Sequence, residues 1–507
     1  MFTKINHIDG VTGDDEILFS TPFDYFFPEA ARSRLCRLPE TEATVAGLKR
    51  LGDLMADPGE IGDPQESFDS TIPAAFTYFG QFTDHDITAR TDREGAVSEI
   101  GRAEPVRPAD PDFVVANMRN GRRPQFDLDS VFGDGPGLAG ASAAATTQSQ
   151  LLYDSDLKLV AFADGDRVDL PREAGTHNAI IADARNDENV IIGQLQTAFL
   201  RFYNAAHDAQ PGSDNKQKYI RARQLVRWAY QYVVVNDYLK QVCDPAVVDD
   251  TLANGPRFIG ATSGKGAAFM PLEFSAAAYR FAHSMIRPFY RLNATSGEVG
   301  IGDLLGPAGR ATNFDASDGQ LIPARVVDWS LLVGSGSGVQ MARKIDSKIS
   351  RGLFTLPVGG RATDPVLRHL ARSNLLRGYS LSLPTGQAIC DAFGILPLST
   401  ADIKDGESPE MVEMLEDTYF DHRTPLWYYI LREAAVQQDG NRLGEVGSRL
   451  VAETMVGLVK QDHNSYLNNL HDDAIDIELG VTLDESSAAV GGLAGLLDFA
   501  GVSNVCS

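Results

Sequence analysis

Apolar residues recur along this chain at the three- and four-residue intervals typical of amphipathic helices. The pattern predicts long helices over 186–206 and 216–242 and an alanine-rich helix over 271–286 that a proline ends. A capping threonine followed by proline predicts another helix over 71–87. Strand patterns are sparse, and 157–162 is the best candidate. Shorter helical patterns cover 364–377, 386–392, 425–437 and 444–460. The fold class is therefore mainly α, with few short strands.

The first 70 residues do not share this periodicity. They mix proline, glycine and acidic residues, which is typical of loops. We therefore expect residues 1–70 to form an N-terminal loop-rich arm and residues 71–507 to form one large helical domain.

Composition and charge argue against some classes of binding partner. The chain has 507 residues, of which 43% are hydrophobic and 22% are charged, so it can bury a large core. Its 45 basic and 69 acidic side chains give a net charge of −24, which repels phosphate backbones and argues against nucleic-acid binding. No apolar run approaches the length of a membrane span, and the polar start shows no signal peptide. The four cysteines are widely spaced and suit neither a zinc site nor a disulfide framework.

The segment Gly80–Asp86 carries the first candidate chemistry. On a helix, Gln81, Asp84 and His85 lie at i, i+3 and i+4 and share one face among aromatic neighbours. A lone histidine of this kind is more often a solvated or hydrogen-bonded core residue. Two further segments change this balance.

One of these segments lies at the start of the helical pattern over 186–206, and the other lies after the helical pattern over 216–242. Arg185 and Glu188, spaced i, i+3, present a cation and a carboxylate just before an apolar helix. Arg280 and His283 lie in the alanine-rich helix, where small neighbours leave room for a flat group and His283 has the character of a metal ligand.

In chain order these motifs resemble the animal-type haem peroxidases of the peroxidase–cyclooxygenase superfamily. The family's G-Q-x-x-D-H-D motif matches Gly80–Asp86, and its R-x-x-H-x-x-x-x-P-F motif matches Arg280–Phe289. Its arginine, followed by glutamate and a T-x-x-L-R-x-x-N helix, matches Arg185–Asn204, and its N-x-x-R with a later Leu-Pro matches Asn374–Pro384. The resemblance implies the helical haem peroxidase fold of a compact, bacterial-type member, with 71–507 as the catalytic domain.

The resemblance implies haem b, with His283 as the axial ligand and Asn374 as the acceptor from its other ring nitrogen. His85 is then the base that moves the peroxide proton, and Arg185 stabilises the developing negative charge. The resemblance further implies that hydrogen peroxide is reduced through a ferryl intermediate, which oxidises a small donor such as a halide, thiocyanate or a phenol. The remaining haem-site residues are Gln81 at a distal water or anion, Arg377 at the haem edge or a propionate, and Arg280 beside the ligand.

Two carboxylates have a second role in this family. Asp84 and Glu188 match the residues that form ester bonds with haem methyl groups, so we expect at least one covalent link. The family's third link is a methionine directly after that glutamate, which is Asn189 here, and its loss argues against strong chloride oxidation.

The resemblance also implies a calcium site. The family places one calcium ligand directly after the distal histidine. That histidine is His85 here, so the ligand is Asp86, and the other ligands lie in a downstream loop. That loop supplies the carboxylates of Asp127 and Asp129 and the carbonyls of Arg123 and Gln125, an oxygen-only shell that suits Ca²⁺. Arg123 and Asp129 replace the threonine and serine that are usual in the family.

Two alternatives to a peroxidase stay open. Fatty-acid dioxygenases of the superfamily carry a tyrosine three residues before the proximal histidine, but Arg280 stands there, and Tyr279 is one residue away. A catalytically silent, calcium-binding adhesion protein is the second alternative, although the four motifs argue against it. The sequence predicts a soluble protein whose secretion would need a route without a cleavable signal peptide.

Overall fold

The computed structural model describes residues 21–57, 68–89, 105–122, 124–133, 135–136, 151–165, 167–173, 175, 177–259, 269–305, 311–356, 368–469 and 492–502. These residues form a predominantly helical domain with short strands at its margins, as the hydrophobic pattern predicts. Among them, no helix combines the length and the hydrophobicity needed to cross a lipid bilayer.

The α-helices follow one another in chain order around a shared core. The first ten are α1 Pro28–Arg32, α2 Glu42–Leu54, α3 Ala75–Ile87, α4 Pro111–Asn117, α5 Asp129–Phe132, α6 Val190–Asp208, α7 Asn215–Val233, α8 Leu239–Val242, α9 Pro245–Asn254 and α10 Leu272–Ala276. The rest are α11 Ile301–Leu304, α12 Leu370–Ser380, α13 Gly386–Phe393, α14 Thr400–Lys404, α15 Pro409–Thr418, α16 Leu426–Gln438, α17 Glu445–Gln461, α18 Tyr466–Asn469 and α19 Leu493–Phe499.

Irregular helical turns complete the helical part. A π-helical segment, Val234–Tyr238, joins α7 to α8 without a break. The 3₁₀ turns are Ala184–Asp187, Ala278–His283, Ala311–Asn313, Pro323–Arg325, Trp329–Leu331 and Arg351–Phe354. Two of these turns hold candidate site residues.

The strands are short and pair in small groups. They are β1 Thr21–Asp24, β2 Asp69–Pro73, β3 Arg119–Asn120, β4 Phe162–Asp164, β5 Arg167–Asp169, β6 Met270–Pro271, β7 Phe289–Arg291, β8 Glu298–Gly300 and β9 Met341–Arg343. Strand β1 lies between antiparallel β3 and parallel β6. The pairs β2–β9, β4–β5 and β7–β8 are antiparallel.

The predicted helix over 271–286 is not a single helix. It divides into α10 and the 3₁₀ turn Ala278–His283, because Ala277 has φ −136° and ψ −69°, outside the α-helical region. Alanine is a strong helix former, so composition gives no sign of this break. His283 consequently lies at the end of a tighter turn than the sequence predicts.

Other boundaries also shift. The helix predicted from Thr71 begins at Ala75, because Asp69–Pro73 pairs with β9 as a strand. The strand predicted over 157–162 is instead Phe162–Asp164, which pairs with β5. The helices predicted over 186–206 and 425–437 are α6 and α16, with ends moved by four residues or fewer.

The described part of the proposed arm contains regular structure. Thr21–Asp24 pairs with Met270–Pro271, and helix α2 packs against α12. The division of the chain near residue 70 stays a prediction.

The core brings α3 against α6 and the π-helical segment. The rings of Phe82 and Phe199 stack with centroids 4.6 Å apart. Gly80 permits a close approach on another side of α3, since a Cβ there would lie 2.5 Å from Tyr238 Oη. These contacts fix the rotation of α3, and therefore the direction of its polar face.

Candidate active site

Helix α3 carries the first set of candidate residues on one face. Its aromatic residues are buried, whereas Gln81 and Asp84 keep partial exposure among them. His85 lies one turn from Gln81, and only 6% of its side chain is accessible. The i, i+3, i+4 pattern therefore places these three polar groups together, as the sequence predicts.

His85 is held by a hydrogen-bonded chain of two amides. Its Nδ1 lies 2.8 Å from Asn186 Oδ1, and Asn186 Nδ2 donates to Gln196 Oε1 at 2.9 Å. The other ring nitrogen, Nε2, lies 3.8 Å from Glu188 Oε2, beyond hydrogen-bond distance. Burial, together with the charge of Arg185, lowers the pKa of His85 to about 3, so the imidazole is neutral.

Arg185 lies in the 3₁₀ turn Ala184–Asp187, directly beside α3. Its Nη1 donates to the carbonyl of Thr88 and its Nη2 to the carbonyl of His85, both at 2.8 Å. Its guanidinium also pairs with the carboxylate of Asp183, at 2.7 Å from Nη2. The arginine is thus fixed against the carbonyl end of the helix that carries the histidine.

Gln81 and Glu188 form a second link between α3 and this turn. Gln81 Nε2 donates to Glu188 Oε2 at 3.2 Å, and Asn189 Nδ2 donates to Gln81 Oε1 at 3.1 Å. Asp84 Oδ1 accepts from Thr88 Oγ1 at 2.9 Å. Burial raises the pKa of Glu188 to about 7 and also raises the pKa of Asp84.

His283 forms a second group with two residues that the sequence also predicts. Its Nδ1 lies 2.7 Å from Asn374 Nδ2, while Asn374 Oδ1 accepts from Arg280 Nη1 at 3.2 Å. In this orientation the amide donates to the imidazole, the reverse of the acceptor role that the resemblance implies. Iron ligation through Nε2 requires the proton on Nδ1, so the amide of Asn374 would have to turn by 180° when a metal binds.

The two groups belong to elements in direct contact. Thr83 Oγ1, on α3, shares a hydrogen bond with the hydroxyl of Tyr279, four residues before His283. Trp427 Nε1 donates to the carbonyl of Arg280 at 3.1 Å and supports the same 3₁₀ turn from α16. Arg377 lies one turn after Asn374 on α12 and is partly buried.

Two of these residues combine accessible side-chain surface with strong desolvation, from which we infer an enclosed chamber beside them. Glu188 keeps 48% of its side-chain surface accessible, yet the surrounding protein desolvates its carboxyl enough to shift its pKa upward. His283 is likewise partly accessible, while burial lowers its pKa to about 3. Accessible surface and strong desolvation occur together when a group faces a chamber enclosed by protein. The described contacts of both imidazoles also leave Nε2 without a hydrogen bond.

The donor set fits a haem. One neutral imidazole nitrogen is available as an axial ligand from His283, and a second imidazole with a guanidinium stands on another wall. Carboxyl groups at Asp84 and Glu188 line the same region. The sequence predicts all five of these residues, and the structure brings them together.

A cluster of three carboxylates lies directly behind His85. Oxygen atoms of Asp86, Asp127 and Asp129 all lie within 4.8 Å of one another. Asp86 also accepts from the backbone N–H of Leu128 at 3.2 Å and from Ser130 Oγ at 3.1 Å. Burial and the two neighbouring carboxylates hold the pKa of Asp86 well above its usual range. Such a cluster suits a hard cation.

Of the two carbonyl ligands expected for this cluster, only that of Gln125 belongs to a described residue. The carbonyl of Gln125 accepts from the backbone N–H of Asp127 at 2.9 Å. Arg123 lies outside the described residues. Arg122, which the sequence does not single out, donates from Nη1 to Asp129 Oδ1 at 2.9 Å.

Sequence reasoning misses several polar residues that hold the site. They are Asn186, Gln196, Asp183, Arg122 and Ser130. Asn186 and Asp183 directly flank the Ala184-Arg185 pair, so their nearness in sequence was an available signal. Arg122 and Gln196 reach the site only through the fold.

The chain and its fold are similar to known proteins. The animal haem peroxidase family profile matches residues 59–472. The fold is similar to peroxidase A from Dictyostelium discoideum, with a TM-score of 0.63 and 15% identity over 97% of this chain and 94% of that one. No curated protein sequence matches the chain.

The fold is also similar to fatty acid alpha-dioxygenases from plants. The enzyme from Oryza sativa has a TM-score of 0.60 and 15% identity, covering 96% of this chain and 80% of that one. The enzyme from Arabidopsis thaliana has a TM-score of 0.58 and 14% identity, covering 96% and 75%. At these identities the similarity establishes the fold. Because the family profile extends over most of the sequence, the chain belongs to the animal haem peroxidase family, a family of haem-dependent oxidoreductases.

Proposed function

We propose that this protein is a haem peroxidase that reduces hydrogen peroxide and oxidises small donors, either halides and thiocyanate or phenols. The observation that carries the proposal is the pairing of His85 Nδ1 with Asn186 Oδ1 beside the fixed guanidinium of Arg185. This arrangement supplies a base and a permanent positive charge on the same wall of the chamber. Haem, when bound, supplies the iron centre at which peroxide is reduced.

His85 moves the proton in the proposed reaction. The amide oxygen of Asn186 accepts from Nδ1–H, so Nε2 keeps its lone pair and can accept the proton of hydrogen peroxide. The same nitrogen then returns the proton to the leaving oxygen. The low pKa of the imidazole keeps the base form populated at neutral pH.

Arg185 and Gln81 support this transfer. The guanidinium of Arg185 offsets negative charge that develops on the departing oxygen. Gln81, held between Glu188 and Asn189, orients a water molecule or a small anion near His85. His283 would ligate the iron, Asn374 and Arg280 would orient that ring, and Arg377 would bind a propionate.

Two cofactor features belong to the same proposal. Asp84 and Glu188 are the carboxyls for ester bonds to the haem, and the Asp86–Asp127–Asp129 cluster is the Ca²⁺ site. Ca²⁺ there would tie the end of α3 to the loop that contains Asp127.

A fatty-acid dioxygenase is the second candidate, because plant enzymes of that kind share the fold. Residue identity at position 280 favours the peroxidase. Arg280 stands three residues before His283 and is bonded to Asn374. In a 3₁₀ turn, neighbouring residues diverge by about 120°, and Tyr279 points instead to Thr83.

Haem-loaded protein tests the two functions in parallel. Peroxide with bromide or a phenol measures donor oxidation, and a polyunsaturated fatty acid without added donor measures oxygen uptake. We expect donor oxidation that His85→Leu reduces by at least ~100-fold. Oxygen uptake on the fatty acid, with no oxidation of halides or phenols, would refute the peroxidase assignment.

A further inference from the structure

Asp183 is the main partner of Arg185. It is fully buried, and its two carboxylate oxygens lie 3.1 and 3.2 Å from Arg185 Nε. Oδ2 also accepts from Nη2 at 2.7 Å, and Oδ1 accepts from the backbone N–H of Arg185 at 3.0 Å. A carboxylate that holds a guanidinium at two nitrogens restricts both its position and its plane.

The donor inventory of Arg185 shows how little freedom remains. A guanidinium has five N–H donors. Nε–H and one Nη2–H bond to Asp183, the second Nη2–H bonds to the His85 carbonyl, and one Nη1–H bonds to the Thr88 carbonyl. Among the described residues, a single Nη1–H is left over. That donor can be directed at a substrate only if the other four stay in place.

Asp183 is itself held by a second arginine. Arg122 Nη2 donates to Asp183 Oδ2, and its Nη1 donates to Asp129 Oδ1 at 2.9 Å. Arg122 is almost fully buried as well. The carboxylate therefore accepts hydrogen bonds from two guanidiniums, which together restrict its rotation.

We propose that Asp183 is a positioning residue for Arg185, and that Arg122 braces it. This inference rests on the proposed function, because it assigns to Arg185 a role toward a ligand at the haem. In this proposal Asp183 acts on the ligand through Arg185: it holds the guanidinium so that the remaining Nη1–H is directed at a ligand in a fixed place relative to His85.

A purely electrostatic role for Asp183 predicts the opposite change in anion affinity for the Asp183→Asn variant. Removing a negative charge beside Arg185 would strengthen the attraction of an anion to the chamber. Loss of positioning would weaken anion binding, because the aligned donor is lost. The affinity of haem-loaded protein for fluoride separates the two, since this small anion takes the vacant iron position and accepts hydrogen bonds there.

Optical titration with fluoride measures this affinity without turnover. We expect Asp183→Asn to raise the dissociation constant at least tenfold and Asp183→Glu, which keeps the charge but shifts the carboxylate, at least fivefold. The matched control is Asp187→Asn, since Asp187 lies in the same turn but pairs with Arg172, and it should change the constant by less than twofold. An unchanged or tighter affinity in Asp183→Asn would overturn the proposal.

Folding and haem binding are checked separately. If Asp183→Asn fails to load haem, Arg122→Gln takes its place; a weakening of at least threefold supports the proposal, and no change refutes it. Wild-type protein that takes up no haem would overturn the proposed function and this inference together. Protein that binds haem and fluoride as expected but does not oxidise donors would overturn the proposed function alone.

Discussion

Asn186 determines which ring nitrogen of His85 carries the proton. Its Oδ1 lies 2.8 Å from Nδ1, and Gln196 fixes the amide by accepting from its Nδ2 at 2.9 Å. Because the amide oxygen can only accept, the proton belongs on Nδ1 and Nε2 is left as the base. An asparagine next to the arginine in sequence thus controls a histidine about 100 residues away.

Replacement of Asn186 by leucine should slow the reaction with peroxide. Nδ1 would lose its acceptor, and the reactive tautomer would no longer be favoured. We expect the second-order rate constant of haem-loaded protein, measured by stopped-flow absorbance, to fall about 10- to 100-fold. In a His85→Leu background the same substitution should cost nothing further, since Asn186 acts through His85. A further loss in that background would contradict this explanation.

Replacement of Glu188 by glutamine should reduce the covalent attachment of haem. Each carboxyl has one oxygen that accepts a hydrogen bond, from Gln81 for Glu188 and from Thr88 for Asp84, but Glu188 is the more exposed of the two residues. We therefore expect the ester bond at Glu188 to form in a larger fraction of the molecules than the ester bond at Asp84. Acidified solvent should extract little haem from denatured wild-type protein, more from Glu188→Gln, and all of it from Glu188→Gln/Asp84→Asn. Complete extraction from wild-type protein would show that the prediction is wrong.

The sequence predicts the helical class and most of the candidate site, because these follow from local patterns. The spacing of Gln81, Asp84 and His85 depends only on helix geometry. The long helices α6 and α7 follow from apolar periodicity. The family profile confirms the resemblance on which the site assignment was built.

Features that depend on contacts between distant segments are not predicted. The break at Ala277 lies in an alanine-rich stretch with high helix propensity, so tertiary packing overrides the local preference. Strand Asp69–Pro73 forms because β9, far along the chain, pairs with it. Arg122 reaches Asp183 through the fold. For the same reason, the sequence predicts site residues more completely than the residues that hold them.

Removal of calcium should destabilise the protein. Three carboxylates within 4.8 Å repel one another unless a cation shares their oxygens, and Arg122 neutralises only the Asp129 side. With Ca²⁺ at ~100 times its dissociation constant, binding contributes about 2.7 kcal/mol to the free energy of unfolding. A chelator should lower the melting temperature of wild-type protein but not that of Asp127→Asn. Asp417→Asn, at an exposed site away from the cluster, should respond like wild type. Equal melting temperatures with and without chelator would count against the calcium site.

Gly80 should not tolerate even a methyl group. A Cβ at this position would lie 2.5 Å from Tyr238 Oη, and the rigid ring leaves little room for adjustment. We expect Gly80→Ala to lower the free energy of unfolding by about 1–3 kcal/mol, measured by urea denaturation, although alanine favours helix by up to ~1 kcal/mol. The control is Gly302→Ala in helix α11, where a Cβ would meet open space and the substitution should be neutral or slightly stabilising. Tyr238→Phe removes the nearest atom and should restore much of the stability of Gly80→Ala. If it restores none, the contact with Tyr238 does not explain why glycine is required here.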